Sequence, residues 1–392
     1  MDLGLEGGFI APRKSFPKDS KSIAKVLDDD WVMLRRTRLE TVFANDILPE
    51  AATAWKAYMS RYGRGGEIYS TESVVNLVKR HAAGEQVFPA DVDIVTGGFP
   101  CQDFSLAGKR MGFNSGKSHD GKRRTDDEPS EETRGKLYFW MKQVIDATRP
   151  KVFIAENVKG LVSLGDVKEI IQRDFASAGN DGYVVLTPRV LHAADYGVPE
   201  NRERVIFIGL RRDALRPEAL KALEGDADDA FYDPYPAPSH AYTKQDDSLL
   251  PPVTTDDVLH SLREPGESVD PAQNVFSKAK YLPKGQGQTE IRKDGIGPTI
   301  RSEHHGNIEF RRLAAEHGGR HADELAAGLA ERRLTPRECA LIQTFPPDYP
   351  FIIPERRLSS TGAYKVIGNA VPPVLAFKIA ERIEEFWEVF EF

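Results

Sequence analysis

The apolar run Val92-Asp93-Ile94-Val95-Thr96 leads straight into Gly97-Gly98-Phe99-Pro100-Cys101-Gln102-Asp103-Phe104-Ser105. A strand that meets Gly-Gly and then Pro-Cys has to stop in a sharp turn, and the turn projects one thiol from the sheet edge. Open α/β folds place their reactive groups at such strand ends. Cys101 is therefore a candidate nucleophile, although a cysteine without these flanks is more often a small buried hydrophobe.

At 392 residues and 40% apolar content, the chain can bury a full core. That length suits two or three domains, or one large domain with an insertion. Two cysteines, Cys101 and Cys339, make no disulfide framework. No run approaches the roughly 20 apolar residues that span a membrane, and the N-terminus lacks a basic stretch followed by an apolar one. The expected location is the cytoplasm. A net charge of −7 argues weakly against a nucleic-acid partner, but distribution matters more than the sum. Between Gly108 and Arg124 lie Lys109, Arg110, Lys117, Lys122, Arg123 and Arg124 against the single acid Asp120. Such a segment is either a solvated loop or a phosphate-contacting loop beside the thiol.

Read in order, Met1 to Phe9 looks like the middle of a helix and its glycine stop, which predicts further native residues upstream of Met1. Thr41 to Ala44 is a short β-prone run ending in Asn45-Asp46, and a carboxylate there can hold a ribose or simply serve turn chemistry. Helices are predicted over 49–61, 71–83 and 134–147, the last from Leu137, Met141, Val144 and Ile145. Further strands are predicted at 152–155, closing in Glu156-Asn157-Val158, and at 182–186 and 205–209. Strands alternating with helices predict a mostly parallel sheet covered on both faces. From about Arg212 to Glu331 the chain is rich in Pro, Gly, His and Asp without a strong period, which predicts a smaller irregular domain. Thr335-Pro336-Arg337-Glu338 reads as a capped helix start with Cys339 packed inside the helix. A last helix running to Phe392 would put Ile379, Ile383, Phe386 and Phe390 on one face, docked on the main sheet. His304-His305, His317 and His321 lack cysteines in a zinc pattern, so no metal is expected.

Pro100-Cys101-Gln102, Glu156-Asn157-Val158, the Arg202/Arg204 pair, Arg337-Glu338 with Gln343-Thr344-Phe345-Pro346, and Gly368-Asn369-Ala370-Val371-Pro372-Pro373 follow in that order. Over nearly its whole length the chain resembles the DNA (cytosine-5)-methyltransferase family, the bacterial modification enzymes and their eukaryotic relatives. The resemblance implies an α/β fold, a doubly wound Rossmann-like methyltransferase sheet plus a smaller irregular, β-rich target-recognition domain. The division expected is 1–212 for catalysis and cofactor binding, 213–350 for target recognition and return to the hinge, and 351–392 completing the catalytic domain.

The activity implied is methyl transfer from S-adenosylmethionine to carbon 5 of a specific cytosine in duplex DNA. Carbon 5 is a poor nucleophile, so a thiolate must first add to carbon 6, and Cys101 is the residue for that. In the family the Glu of Glu-Asn-Val stabilises charge at N3 and holds the exocyclic amine, which maps to Glu156. As an acid near neutrality it needs its pKa raised by burial or a neighbouring charge. Arg204 would orient the base, with Arg202 supporting the site. Glu200 stands where the family usually has Gln. The target base would be flipped out of the duplex, with the basic segment after Cys101 as a lid. For the methyl donor, Asp46 (usually Glu) would hold the ribose and Ile47 would pack on the adenine. Glu67 (usually Asp) would reach the adenine amine with Ile68 beside it, and Pro100, Leu137 and Asn369 would line the methionine end. Family members carry a strand and a Phe-x-Gly-x-Gly-Gly loop before the segment that Asp2-Leu3-Gly4-Leu5-Glu6 resembles.

A DNA partner, no membrane and a monomer are the expected associations, with a restriction endonuclease sharing the target sequence without binding the chain. Two other readings stay open. One is a tRNA cytosine methyltransferase, disfavoured by the 118 residues from Asp213 to Ala330. The other is a catalytically dead DNA-binding relative. A cysteine hydrolase would have only His192, in the loop before Tyr196, as a partner. Arg292, Arg301, Arg311 and Arg312 are candidates for base or phosphate contact.

Overall fold

The computed structural model describes residues 1–99, 137–163, 166–225, 230–302, 308–356 and 358–390. A short helix α1 (Asp2–Glu6) ends at Gly7, whose φ of 65° suits glycine. This is the helix and glycine stop read from the sequence. Next come β1 (Ile10–Pro12), β2 (Ile23–Val26) and β3 (Trp31–Leu34), a small antiparallel sheet in the order β1-β3-β2. The sequence does not reveal it, because these strands are short and β2 leaves three of its four residues exposed.

Then follow β4 (Ala44–Asn45), α2 (Pro49–Met59), β5 (Tyr69–Ser70), α3 (Val74–Ala82) and β6 (Ile94–Gly98). β4 and β5 pair in parallel, Ala44 opposite Tyr69. Beyond them lie α4 (Leu137–Thr148), β7 (Val152–Val158), α5 (Val167–Ala176), β8 (Tyr183–Val185), β9 (Arg189–His192) and β10 (Glu203–Arg211). The main sheet runs β6-β7-β10-β8, with β9 also on β10. β6 and β7 are parallel, while β10 lies antiparallel to β7, β8 and β9. Four strands thus share one direction and β10 is inserted against them, making the sheet mixed. The short connection 193–202 is the cause, since a parallel β10 would need a long crossover.

Alternate residues of β7 and β10 serve two cores. Val152, Ile154, Ile206 and Ile208 join a cluster with Phe377, Ile379 and Ile383. Phe153, Ala155, Val205 and Phe207 join another with Val75, Ile145, Ile171 and Phe175. The sheet is therefore covered on both faces, which explains the continuous apolar runs of its central strands.

Regular structure is sparse in the long segment that follows, as its composition predicts: α6 (Pro217–Glu224), α7 (Asp256–Leu259), β11 (Phe310–Arg312) and α8 (Ala322–Ala326) among the described residues. β11 pairs with β12 (Arg332–Arg333). Val258, Leu259, Ile291, Ile300 and Ile308 of this segment belong to the same apolar cluster as Ile206 and Ile379. The chain closes with α9 (Pro336–Ile342), α10 (Ser360–Asn369) and α11 (Pro373–Phe386). α11 stops at Phe386 rather than continuing to Phe392, and a 3-10 turn, Trp387–Val389, follows it. The reason is pairing with the start of α6: Arg216 N–H donates to Val389 O, and Phe390 bridges Leu215. Ile379, Ile383, Phe386 and Phe390 are nevertheless all buried in the cluster on the sheet, as expected. No helix among the described residues is long and apolar enough to cross a membrane.

Candidate active site

Three neighbouring strands assemble the centre. β6 runs parallel to β7 with Gly98 opposite Glu156, and β10 runs antiparallel to β7 with Arg204 opposite Val158. Glu156 and Arg204 are thus diagonal neighbours on one face of the sheet, within reach of a long side chain. Arg204 Nε lies 2.7 Å from Glu156 Oε1, and both side chains keep a little exposure, 12% and 13%. A second guanidinium nitrogen of Arg204 donates to Glu203 O at 2.8 Å. On the other side, a Cβ on Gly98 would sit 3.0 Å from Glu156 Oε2. The glycine leaves the carboxylate room at the end of β6, three residues before Cys101.

Asn157 faces the opposite way from Glu156, is almost fully buried, and donates from Nδ2 to Phe99 O at 3.2 Å. It fixes the backbone at Phe99, just past the end of β6. Sequence reasoning assigned Asn157 no task, although its place beside Glu156 and its polar amide in a strand that should be buried were available signals. Pro100, Cys101, Gln102 and the basic segment from Lys109 to Arg124 lie outside the described residues. Leu137 opens α4, and its side chain is likewise outside them.

Arg202 sits differently from Arg204. It is 1% exposed, and its guanidinium donates to Ile300 O, Gly368 O and Ala370 O at 3.0, 2.9 and 2.8 Å. A side chain so enclosed holds backbone in place behind the site. Burial, then Arg204 nearby, lowers its pKa to about 10. Glu200 is fully buried beside it, and its Oε1 accepts from Ile300 N–H at 2.8 Å. Burial pushes the Glu200 carboxyl above the usual carboxylate range against the pull of Arg202. Gln343, also buried, donates to Ala370 O at 2.6 Å. Its part in holding that turn was not read from the sequence.

The described residues expected around a methyl donor occupy three places. Asp46 and Ile47 follow β4, where Asp46 Oδ1 accepts from Leu48 N–H at 2.9 Å. Burial raises the Asp46 pKa, opposed by the Leu48 N–H and Lys365. Ile47 is 41% exposed, unusually bare for its type. Glu67 and Ile68 precede β5, in the 3-10 turn Gly66–Ile68. Because Ala44 is opposite Tyr69 in a parallel pair, Asp46 and Glu67 lie beyond opposite ends of the two strands. The structure does not bring them to one edge. Asn369 is exposed at the end of α10, between the two carbonyls that Arg202 holds.

His192 lies on β9 rather than in a loop, opposite Glu203. Its Nδ1 accepts from Ala194 N–H at 3.2 Å and its Nε2 faces Asn201 Oδ1 at 2.9 Å. Both ring nitrogens are engaged, with the proton on Nε2, so it is not available as a general base for a thiol. Cys339 is fully buried in α9, and burial pushes its thiol well above the ordinary value. Of the arginines considered for DNA contact, Arg312 is 1% exposed and bridges Glu264 and Glu324. Arg311 is also buried, beside Glu324 and Glu338. Arg301 pairs with Glu309 and stays partly exposed, and Arg292 pairs with Asp294 at the surface. Among the described residues no group of three or more His, Cys, Asp or Glu side chains is arranged to hold a metal ion.

A profile described as C-5 cytosine-specific DNA methylase matches residues 32–385. The Type II methyltransferase M.BspRI of Lysinibacillus sphaericus is 31% identical over 398 aligned positions, covering 98% of this chain and 79% of the relative. M.NgoFVII of Neisseria gonorrhoeae, also a Type II methyltransferase, is 30% identical over 357 positions, covering 88% and 80%. The crystal structure of S. pombe Dnmt2 methyltransferase shares the fold, with a TM-score of 0.51 at 15% identity over 88% of this chain and 91% of that one.

Proposed function

Because the chain belongs to the C-5 cytosine-specific DNA methylase family and is a DNA cytosine methyltransferase, we propose that it methylates one defined cytosine, flipped out of duplex DNA, through a covalent bond to Cys101. The observation that carries this reading is the Glu156–Arg204 pair at 2.7 Å, set beside the end of the strand that leads into Cys101.

In this reading the Cys101 thiolate adds to carbon 6, and the electron pair moves through the ring toward carbon 5 and N3. Glu156, as the carboxylic acid, gives a proton to N3 while its other oxygen accepts from the exocyclic amine, and Arg204 holds the carboxyl group so that it meets the ring in one geometry. After carbon 5 has gained the methyl group, a base takes the proton from carbon 5, the electron pair expels the Cys101 thiolate, and N3 returns its proton to Glu156, which restores the ring. None of these groups can reach a stacked base, so the cytosine has to leave the helix.

S-adenosylmethionine supplies the methyl group when bound. The chemistry of Asp46, Ile47 and Asn369 fits it: a desolvated carboxylate for a ribose diol, a bare apolar side chain for a flat ring, and an exposed amide for the methionine end. Glu67 and Ile68 lie beyond the other end of the β4–β5 pair, and in this reading they meet the adenine end of the donor while Asp46 meets the ribose. As in the Type II relatives, the partner is DNA, and a companion endonuclease would share the recognised sequence without a contact to this chain.

The test uses the chain with any natural residues preceding Met1 retained. With S-adenosylmethionine and duplex DNA containing 5-fluorocytosine, it should form an adduct stable to denaturing electrophoresis, and the Cys101→Ser variant should form none. Labelled methyl groups should appear in DNA and not in tRNA. Transfer to tRNA alone would replace the substrate, and an adduct in Cys101→Ser would remove the nucleophile.

A further inference from the structure

Three stretches of chain far apart in sequence meet at Glu200 and Arg202. The first is the entry to β10, which bears Arg204 two residues on. The second is the segment 297–302, where the long irregular region comes back to the sheet. Glu200 and Gly297 form a parallel bridge there, with Asn201 N–H donating to Gly297 O and Gly297 N–H to Pro199 O, each at 2.8 Å. Thr299 Oγ1 also donates to Asn201 O. The third stretch is the turn 368–370, which presents Asn369. A Cβ on Gly368 would lie 2.3 Å from the Arg301 carbonyl carbon, so this turn and the returning segment touch backbone to backbone.

The two side chains divide the work. Glu200 takes the N–H of Ile300 and Arg202 takes its carbonyl, so one peptide position is gripped on both sides. Arg202 then spends its other nitrogen on Gly368 O and Ala370 O. Their direct contact, Nη1 to Oε1, is longer at 3.4 Å. Both are essentially sealed from water, and Glu200 Oε2 and Arg202 Nε have no hydrogen-bond partner among the described residues. A buried pair with slack in its mutual contact and short bonds to backbone serves geometry more than stability.

We propose that Glu200 and Arg202 are a positioning pair that locks the Asn369 turn to the returning segment 297–302, so that the face offered to the methyl donor is set by the end of the irregular region. What the turn presents rests on the methyltransferase reading; the lock itself does not. A lysine at 202 keeps the charge but gathers its donors at a single nitrogen, without the planar fork that reaches Ile300 O from one nitrogen and Gly368 O and Ala370 O from another. A glutamine at 200 keeps an oxygen for Ile300 N–H, and the three carbonyls around Arg202 still face its charge.

Two measurements on the full chain test this. In hydrogen–deuterium exchange, Arg202→Lys should raise exchange across 297–302 and 366–371 by about tenfold while the β7–β10 amides keep wild-type protection. Glu200→Ala should do so at 297–302, and Glu200→Gln should restore it. In steady-state kinetics, Arg202→Lys should raise KM for S-adenosylmethionine about tenfold with kcat nearly unchanged, because misplacement of a binding group weakens uniform binding. A lesion that merely unfolds part of the sample lowers kcat and leaves KM alone. Wild-type exchange in Arg202→Lys, a rise spread evenly over the β7–β10 core, or an unchanged KM would each overturn the lock. If the wild-type chain transfers no methyl group, the methyltransferase reading fails, and the exchange data still decide for or against the lock.

Discussion

In the proposed reaction, little separates Arg204 and Glu156 as a working pair from a purely structural ion pair. An exposed pair of this type is worth well under 1 kcal/mol, whereas this one is mostly enclosed and its carboxylate stands at the end of the strand leading to the thiol. Replacing Glu156 with Gln keeps the shape and a contact to Arg204 but removes the group proposed to protonate N3. Methyl transfer should fall by about 10²- to 10⁴-fold, the usual worth of a positioned acid, with the melting temperature shifted by no more than a few degrees. Timed incorporation of labelled methyl groups, compared with a thermal melt of the same sample, checks both. A rate within threefold of wild type would take Glu156 out of the chemistry. Residue identity is the legible part of the candidate site: Glu156, Arg204 and Asn369 stand out by their motifs, and the structure brings the first two into contact. What the letters did not disclose was direction. Arg202 and Arg204 look alike in the sequence, yet one is 1% exposed on three carbonyls and the other is paired with Glu156. The difference depends on Ile300 and Gly368, about 100 and 166 residues away, which no local pattern encodes.

Elements whose signals are local came through, and those that depend on partners did not. α9 is the clear case of the first kind. Thr335 Oγ1 accepts from Glu338 N–H at 3.0 Å, Glu338 Oε2 accepts from Thr335 N–H at 2.9 Å, and Pro336 takes the first helical position. The four letters Thr-Pro-Arg-Glu contain the whole device. Thr335 is also fully buried, and its hydroxyl donates to Gln273 Oε1 at 2.7 Å. Thr335→Ala therefore loses the cap and strands a buried amide, which should cost about 2 kcal/mol. Urea denaturation should show a lower midpoint at unchanged slope, and Thr335→Ser should recover most of the loss. An unchanged midpoint for Thr335→Ala would mean the cap is not limiting. By contrast, β1, β2, β3 and β9 have three or four residues each and owe their existence to neighbours. The β4–β5 pair, two residues per strand, was foreseen only in part. Its register, which separates Asp46 from Glu67, could not be read at all.

At the scale of the whole molecule, charge is where composition misled most. Arg311 and Arg312 look like DNA contacts in a chain of this kind, but they are inside, in a network with Glu264, Glu324, Arg332 and Glu338. The network spans the irregular region and the start of α9. Glu264 is its hub, accepting from Arg332 Nε at 2.8 Å and lying 2.9 Å from Arg312. Burial alone would raise the Glu264 pKa, but hydrogen bonds and attraction from Arg332 and Arg312 overcome that and lower it to about 2. A carboxylate depressed in the folded state contributes stability that is complete above its unfolded pKa, about 4.3, and is lost as the pH falls toward the folded value. Glu264→Gln should therefore be less stable than wild type by about 2 kcal/mol at neutral pH. The gap should close progressively as the pH falls from about 4.3 toward 2. Neutral Gln cannot titrate, and protonated Glu resembles it. Denaturation midpoints of the two proteins across that range give the answer directly. A gap that stays constant with pH would assign the effect to packing of the side chain, and a gap that widens on acidification would reverse the sign of the linkage. The same network makes a second point about function. Arginines that face carboxylates inside the fold are not free for phosphate, and Arg301, held to the buried Glu309, shares that restraint, so among these four Arg292 at the surface has the most access to solvent.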